Sequence, residues 1–216
     1  MRVLGILLLI AGVTLVANAT LPILEYEIFV KSNFTQKKEF LSPLGRTKSI
    51  IGAKTVDLTR ASNWFEGGDL SRTTPSAIRY YTLSIPKLKI ERATVEIGGE
   101  DLSSSLIHYQ GTELPGRRGN PVIFGHSVLP QFFNPKNYLT IFSTLPRIEN
   151  GDEILVEYDG ITYRYQVTEM FEVSPTTIEV LQQNYDRAHL TLITCVPPGT
   201  YLRRLVVRAD LVPPQI

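Results

Sequence analysis

Short β-rich segments separated by turn residues fill the chain from about residue 76 onward. Each segment is rich in β-branched and aromatic side chains, which suit a pleated, half-buried surface. The breakers between them include Gly98-Gly99, Asn150-Gly151-Asp152, Asp159-Gly160 and Pro197-Pro198-Gly199. Asp159-Gly160 favours a two-residue type I′ hairpin. The predicted strands are 80–85, 93–97, 121–125, 153–158, 162–171, 190–195 and 205–212.

This succession of strands predicts an all-β fold, a closed or nearly closed β-barrel with helices only in its connections. Short helical patterns occur at 102–108 and 177–184. The chain has 216 residues, which is enough for one compact domain and a linker after its N-terminal segment.

An apolar segment opens the chain. Residues 3–16 are all apolar or Gly/Thr, and after Ala17-Asn18-Ala19 the apolar character resumes at 21–24. The small-x-small tripeptide fits a signal-peptidase site, so a cleaved secretory signal is one interpretation. We favour the other, an uncleaved transmembrane signal anchor at 1–24, because such a helix is long enough to cross a hydrocarbon core of about 30 Å.

The anchor predicts a single-pass protein of the cell membrane with its catalytic domain outside the cytoplasm. Basic residues are nearly balanced around the span, with Arg2 before it and three lysines soon after it, so the orientation rests on the signal-like start. We expect an extracytoplasmic linker or stalk at 25–75, in which Trp64-Phe65 packs back onto the domain, and a catalytic domain at 76–216. A net charge of +1 gives no reason to expect a nucleic-acid partner.

Cys195 is the only cysteine of the chain. Outside the cytoplasm a lone thiol cannot form an intramolecular disulfide and is open to oxidation, which favours a nucleophilic role over a buried structural one. It lies where the apolar run 190–194 meets Val196-Pro197-Pro198-Gly199, so it can project from a strand end into a cleft. A thiol is mostly protonated at neutral pH and needs a partner that activates it.

Of the three histidines, His126 is the best candidate partner. It follows the predicted strand 121–125, where a rigid scaffold can hold a catalytic side chain. His189 is six residues before Cys195 on the same predicted strand, roughly 20 Å away, and is predicted to be structural. His108 is predicted to pack or to form hydrogen bonds.

An arginine from the returning strand is the third candidate. After the turn at 197–200 the chain continues as Arg203-Arg204-Leu205, which brings a guanidinium beside Cys195. Such a group can stabilise an oxyanion or bind substrate carbonyls. Side-chain parity leaves Arg203 and Arg204 both open, because the register of the hairpin is unknown from sequence.

With these residues in place, the chain resembles the sortases, which are cell-surface cysteine transpeptidases. Thr191-Leu192-Ile193-Thr194-Cys195 followed by Arg203-Arg204 is similar to the family's nucleophile strand and arginine, and Gly125-His126 to its histidine pair. Leu83-Ser84-Ile85-Pro86-Lys87-Leu88 is similar to the family's opening strand, and the stretch from His108-Tyr109-Gln110-Gly111-Thr112 to Gly119-Asn120 is similar to the region before the histidine. These blocks occur in family order, and the resemblance is closer to classes C, D and E than to class B.

The resemblance implies an eight-stranded sortase-type barrel with short connecting helices. By the same resemblance, Cys195 is the nucleophile and His126 is first the general acid and then the general base. Arg204, with Arg203 as runner-up, stabilises the oxyanion or positions the substrate, and Thr194 contacts the substrate. No cofactor is implied. We also expect no metal, since no acidic cluster lies near the histidine loop.

The implied reaction cleaves an LPxTG-like sorting signal at the C-terminus of a surface protein through a Cys thioacyl intermediate. The acyl group then passes to an amine acceptor, a cell-wall precursor or a pilin lysine. No Asp-Pro-aromatic lid precedes the domain, and the loop at 128–144 is predicted to shape substrate choice. The alternatives are an exported cysteine peptidase and a non-catalytic, membrane-tethered binding barrel.

Overall fold

The computed structural model of the chain describes residues 2–30, 34, 57, 59–65 and 77–213. Most of the predicted linker at 25–75 lies outside these residues. An apolar helix, α1, spans Arg2–Glu25 and continues as a π-helical turn at Tyr26–Val30. No residue of α1 is buried, and the helical stretch Arg2–Ile28 is long and apolar enough to cross a membrane.

Eight strands follow the N-terminal region. In chain order they are Tyr80–Ile85 (β1), Ile90–Ile97 (β2), Leu106–His108 (β3), Val122–Phe124 (β4), Glu153–Tyr158 (β5), Ile161–Val173 (β6), His189–Val196 (β7) and Arg203–Leu211 (β8). They close into a barrel in the order β1-β2-β3-β4-β7-β8-β6-β5. The predicted all-β, eight-stranded barrel is confirmed. Its connections contain short 3₁₀ turns, as at Leu145–Arg147.

Two strand pairs of the barrel are parallel. β2 pairs with β3 and β4 pairs with β7 in this way, whereas the remaining neighbours are antiparallel. The parallel pair β4–β7 joins two strands that are distant in sequence. It therefore brings the residue after β4 close to the end of β7.

One sequence prediction is wrong at β3. The pattern at 102–108 predicted a short helix, but its last three residues form a strand that pairs in parallel with β2. All three are buried, so this strand lacks the alternation that identifies a half-exposed strand in sequence. At 177–184 only a 3₁₀ turn forms, at Ile178–Leu181.

The predicted hairpin between β5 and β6 is confirmed. Tyr158 pairs with Ile161, and both residues between them have positive φ, 54° for Asp159 and 72° for Gly160. This is the backbone that a type I′ turn requires, which Asp-Gly provides at low cost.

Buried side chains form two clusters, one on each face of the barrel wall. The interior cluster fills the barrel and takes residues from all eight strands, such as Leu83, Ile123, Leu192 and Val207. The outer cluster lies on the outside of β4, β7, β8 and the end of β6, and includes Phe124, Phe171, Ile193, Cys195 and Val206. Successive residues of β7 therefore alternate between the clusters.

Candidate active site

Cys195 and Arg204 are direct partners across the antiparallel pair β7–β8. Directly opposed residues point to the same face of a sheet, and their Cβ atoms lie about 5 Å apart. Arg203 instead pairs with Val196, which belongs to the interior cluster. Arg204 is thus the arginine that shares a face with the thiol.

His126 lies on the other side of Cys195. In the parallel pair β4–β7, Phe124 is opposite Ile193, and both belong to the outer cluster. The Gly125 amide donates to the Ile193 carbonyl at 3.2 Å, which continues this pairing past the end of β4. Continued in the same register, Gly125 is opposite Thr194 and His126 is opposite Cys195. His126 therefore lies beside Cys195 on the outer face, since neighbouring strands are about 4.8 Å apart.

Hydrogen bonds fix the backbone around these two residues. The Thr194 hydroxyl donates to the Gly125 carbonyl at 2.8 Å, and the Ser127 hydroxyl donates to the Cys195 carbonyl at 2.7 Å. Thr194 is fully buried, and this bond favours a positioning role for it. The predicted substrate contact of Thr194 stays a prediction.

Gly125 has no space for a side chain. A Cβ atom there would lie 2.5 Å from Cδ2 of Phe142 and 2.6 Å from Cδ2 of Leu106. Both neighbours are buried in the interior cluster and cannot easily move away. The glycine before His126 is therefore required by packing of the strand against the barrel interior.

A segment from before the barrel covers the site. Within 59–65, the fully buried Trp64 ring stacks on Phe124 at 5.3 Å between centroids and meets the His126 ring edge-on at 5.7 Å. The Arg204 guanidinium lies 5.3 Å from the centre of the Trp64 ring, and its Nη2 donates to the Trp64 carbonyl at 3.4 Å. The predicted packing of Trp64-Phe65 onto the domain is confirmed. Sequence reasoning did not foresee that it lies over Cys195 and His126.

The cover, as we call residues 59–65, is attached to the chain next to β3. The Ala61 amide donates to the Glu100 carbonyl at 2.9 Å, and the Leu102 amide donates to the Thr59 carbonyl at 2.8 Å. Cys195 is only 1% exposed beneath it, so a molecule from solvent reaches the thiol only after the cover moves.

Burial sets the protonation of the covered site. It raises the pKa of the Cys195 thiol to about 11, although the neighbouring Arg204 charge opposes this shift. Burial also lowers the pKa of His126, with the carboxylates of Asp101 and Asp57 opposing the shift. In this conformation the thiol and the imidazole are both neutral near pH 7. The His126 Nε2 and Arg204 Nε atoms have no hydrogen-bond partner among the described residues.

The other two histidines lie apart from this site. His108 is buried, shares a hydrogen bond of 2.9 Å with the Tyr81 hydroxyl through Nδ1, and burial lowers its pKa to about 4. The predicted packing and hydrogen-bonding role of His108 is confirmed. His189 begins β7, at the opposite end of the strand from Cys195. The described parts of the chain contain no group of three or more His, Cys, Asp or Glu side chains that could hold a metal.

The connection between β6 and β7 covers part of the outer cluster. Its side chains Val180 and Leu181 pack into this cluster, which also contains Cys195. Asn120 holds the connection in place, because its Nδ2 donates to the Val180 carbonyl at 3.3 Å while its Oδ1 accepts from the Thr191 hydroxyl at 2.7 Å. The motif resemblance included Asn120, but only the structure gives its role.

Comparison with known proteins identifies the family. The Sortase domain model matches residues 83–212, more than half of the chain, and the chain belongs to the sortase family. Sortase A of Bacillus anthracis is 30% identical over 131 residues, covering 60% of this chain and 58% of the relative. The chain spans between half and three-fifths of the curated relatives that it matches.

Solved sortase structures share the fold. Sortase C-1 from Actinomyces oris superposes with a TM-score of 0.56 at 28% identity, covering 64% of this chain and 77% of that one. Sortase A from Corynebacterium diphtheriae, as a lid mutant, gives a TM-score of 0.55 at 29% identity, covering 66% and 74%. Structural relatives include sortases of classes A, C and D.

Proposed function

We propose that this chain is a membrane-anchored sortase that transfers LPxTG-like sorting signals to an amine acceptor through a thioacyl form of Cys195. One observation carries the proposal. Cys195 is opposite Arg204 on β8, and the β4–β7 register continued past Phe124 brings His126 beside Cys195. Cys195 belongs to the outer cluster, and His126 and Arg204 both contact Trp64 of that cluster. Such an arrangement supplies a nucleophile, an acid–base group and a cationic donor at one peptide carbonyl.

The first half-reaction forms the thioester. The Cys195 thiolate attacks the carbonyl carbon of the Thr-Gly type bond, giving a tetrahedral oxyanion that accepts hydrogen bonds from Arg204. As the oxyanion collapses, the C–N bond breaks and the His126 imidazolium gives its proton to the departing amine.

In the second half-reaction an amine attacks the thioester carbonyl and gives its proton to the neutral His126 imidazole. The C–S bond then breaks and the thiolate returns. If water takes the place of the amine, the same residues act as a peptidase, which is the competing function.

The covered conformation supports the role of Arg204. Its Nη2 donates to the carbonyl of Trp64, so a backbone carbonyl already accepts a hydrogen bond from the guanidinium. A substrate carbonyl would take this position once the cover has moved. Moving the cover would also hydrate the thiol and the imidazole, which favours their charged forms.

The proposal includes the setting of the enzyme. α1 is the uncleaved single-pass anchor, the barrel lies outside the cytoplasm, and 25–75 links the two. The partners are surface proteins that carry a sorting signal, and a cell-wall precursor or pilin lysine as the acceptor. Support comes from the length and apolar character of the helix and from membership of the sortase family.

The test uses the full chain in detergent micelles. A library of Leu-Pro-x-Thr-Gly-type peptides is added with hydroxylamine or a glycine peptide, and intact-mass spectrometry follows the protein and the products. We expect an acyl adduct on Cys195 and an amine-dependent product, both absent from Cys195→Ala. Turnover that persists in Cys195→Ser would exclude the thioacyl route, and products formed only with water would favour the peptidase.

A further inference from the structure

The end of α1 lies directly against the barrel. The Gln131 side-chain amide donates to the Asn18 carbonyl at 3.1 Å, and the Tyr26 hydroxyl donates to Oε1 of Glu172 at 2.5 Å. Arg203 forms an ion pair with Glu27 just after the helix. The barrel is therefore held beside the last two turns of α1.

Two barrel connections make this contact. Pro130 in the β4–β5 connection and Pro198 in the β7–β8 turn line one small cavity with Pro22 and Tyr26 of the helical region. A Cβ atom on Gly199 would lie 3.0 Å from the side chain of Leu129, so the two connections also touch each other. They form one continuous surface around the end of α1.

The depth of Asn18 places this surface at a bilayer boundary. Asn18 follows Arg2 by 16 residues, which corresponds to about 24 Å along a helix. With Arg2 at the inner boundary of a hydrocarbon core about 30 Å thick, Asn18 lies roughly 6 Å inside the outer boundary. The Gln131 amide, which contacts Asn18, then lies just inside the outer edge of the hydrocarbon core, beneath the lipid headgroups.

Large apolar side chains next to these contacts are exposed. Phe132, which follows Gln131, is 62% exposed, and Tyr201 and Leu202 in the β7–β8 turn are 60% and 70% exposed. Aromatic side chains at the headgroup level are typical of proteins that rest on a membrane.

The charge of the β4–β5 connection fits an anionic lipid surface. Residues 127–148 contain Lys136 and Arg147 and no acidic residue, and the two acidic residues that complete the connection, Glu149 and Asp152, are both paired with Lys87. Both basic side chains are exposed, and neither forms an ion pair within the described part of the chain. Basic residues beside exposed aromatic ones are the combination that binds anionic phospholipid headgroups.

We propose that the β4–β5 connection and the β7–β8 turn form a second membrane contact. Phe132 and Leu202 enter the boundary between headgroups and acyl chains, while Lys136 and Arg147 bind the headgroups of anionic phospholipids. This contact rests on the proposed role of α1 as an uncleaved anchor with the barrel outside.

The contact orients the active site. Cys195 and Arg204 stand at the ends of β7 and β8, and the turn that joins these strands carries Tyr201 and Leu202. The mouth of the site therefore lies close to the bilayer.

The test measures the depth of single side chains in vesicles of three parts phosphatidylcholine to one part phosphatidylglycerol. In the full chain with Cys195→Ala, Phe132→Cys and Leu202→Cys are each labelled with an environment-sensitive fluorophore. Ile161→Cys is the matched control, because Ile161 is 54% exposed and begins β6, far from the Val173 end that pairs with Arg204.

We expect labels at 132 and 202 to emit at shorter wavelength and to be quenched by nitroxide on lipid headgroups, and the label at 161 to be quenched by aqueous iodide. If the labels at 132 and 202 behave like the one at 161, the second contact does not exist. Two separate positions keep the test decisive if one variant fails to fold.

The charges are tested in the same vesicles. Lys136→Gln and Arg147→Gln should each weaken docking about five-fold, since ~1 kcal/mol per basic residue near an anionic surface corresponds to that factor. No change in nitroxide quenching at 132 would exclude the proposed headgroup binding.

Failure of the anchor is recognised separately. Release of the chain from vesicles by alkaline carbonate would overturn both the anchor and the second contact. Lipid quenching at 132 and 202, together with no transpeptidase activity in the chain that retains Cys195, would instead support the contact while the proposed reaction fails.

Discussion

The two faces of β7 differ in what covers them. Leu190 and Leu192 point into the barrel, where strands bonded to one another enclose them on every side. Ile193 and Cys195 point outward and are covered by the β6–β7 connection and by residues 59–65. The interior is therefore part of the cooperative fold, whereas the cover can leave by breaking its backbone contacts with residues 100–102, without separating any two strands of the barrel. One strand can thus contribute both to the stable interior and to the proposed active site.

Removing interior volume should have the largest effect. Leu192→Ala is expected to lower the free energy of unfolding by ~2–5 kcal/mol, because a closed barrel cannot collapse onto the cavity. Ile193→Ala, one residue on and also fully buried, should cost less because the cover can adjust. Denaturant unfolding followed by circular dichroism measures both. Equal losses would contradict the distinction between the two faces.

The adjacent residues Arg203 and Arg204 point to opposite faces of β8, and comparing them tests the outer face directly. Arg204→Ala should reduce kcat/KM by a factor equivalent to ~3–4 kcal/mol, since it removes donors to the oxyanion. Arg203→Ala is the matched control and should change kcat/KM far less, because Arg203 lies opposite Val196 and pairs with Glu172 and Glu27. A larger loss in Arg203→Ala would assign the role to that residue.

Trp64→Ala should open the site. Burial holds the pKa of the Cys195 thiol up to about 11, so exposing the thiol should lower its pKa and increase the thiolate fraction about ten-fold per unit at pH below the pKa. Iodoacetamide labelling across a pH series gives both the rate and its midpoint. Tyr185→Ala, an exposed aromatic in the β6–β7 connection, serves as control. An unchanged midpoint would show that Trp64 does not control hydration of the thiol.

The smallest effect is the pH dependence of the cover. Because burial raises the pKa of Cys195, the neutral thiol stabilises the covered state at pH below the usual thiol pKa of about 8.5. This stabilisation is lost as the pH rises toward about 11. Because burial lowers the pKa of His126, the neutral imidazole stabilises the covered state at pH above the usual imidazole pKa of about 6.5. This stabilisation is lost as the pH falls further. Acrylamide quenching of Trp64, the only tryptophan, should be weakest between these limits.

Two variants identify which group causes the increase in Trp64 quenching at each end of the pH range. Cys195→Ala should abolish the increase in quenching at alkaline pH, and His126→Gln the increase at acid pH. If both arms persist in the variants, other groups control the cover.

Local pattern was sufficient to predict most of the barrel. Strands with one polar face alternate in sequence, and the Asp159-Gly160 turn marks its hairpin directly. β3 was not predicted, although β4 is just as short and just as buried. The difference lies in the flanking residues, because Pro121 and Gly125 bound β4 in the sequence and no such breakers adjoin β3. The pairing of β3 with β2 is set by tertiary contacts.

The site was only partly predictable. The strand-end positions of Cys195 and His126 are visible in sequence, but the choice between Arg203 and Arg204 depends on the register of the hairpin. The position of Trp64 over His126 depends on a contact between residues 62 positions apart. The contact between Gln131 and Asn18 joins residues 113 positions apart. Such contacts arise from the closed fold and leave no local signal.

The parallel pairing of β4 with β7 has a consequence for how such a protein can change. The spacing of imidazole and thiol is set by strands that are 65 or more residues apart along the chain, and not by the length of what lies between Phe124 and His189. Insertions in the β4–β5 or β6–β7 connections could therefore remodel the surroundings of the thiol while its distance from the ring stays constant. New partners can be acquired by lengthening loops, without rebuilding the reactive centre.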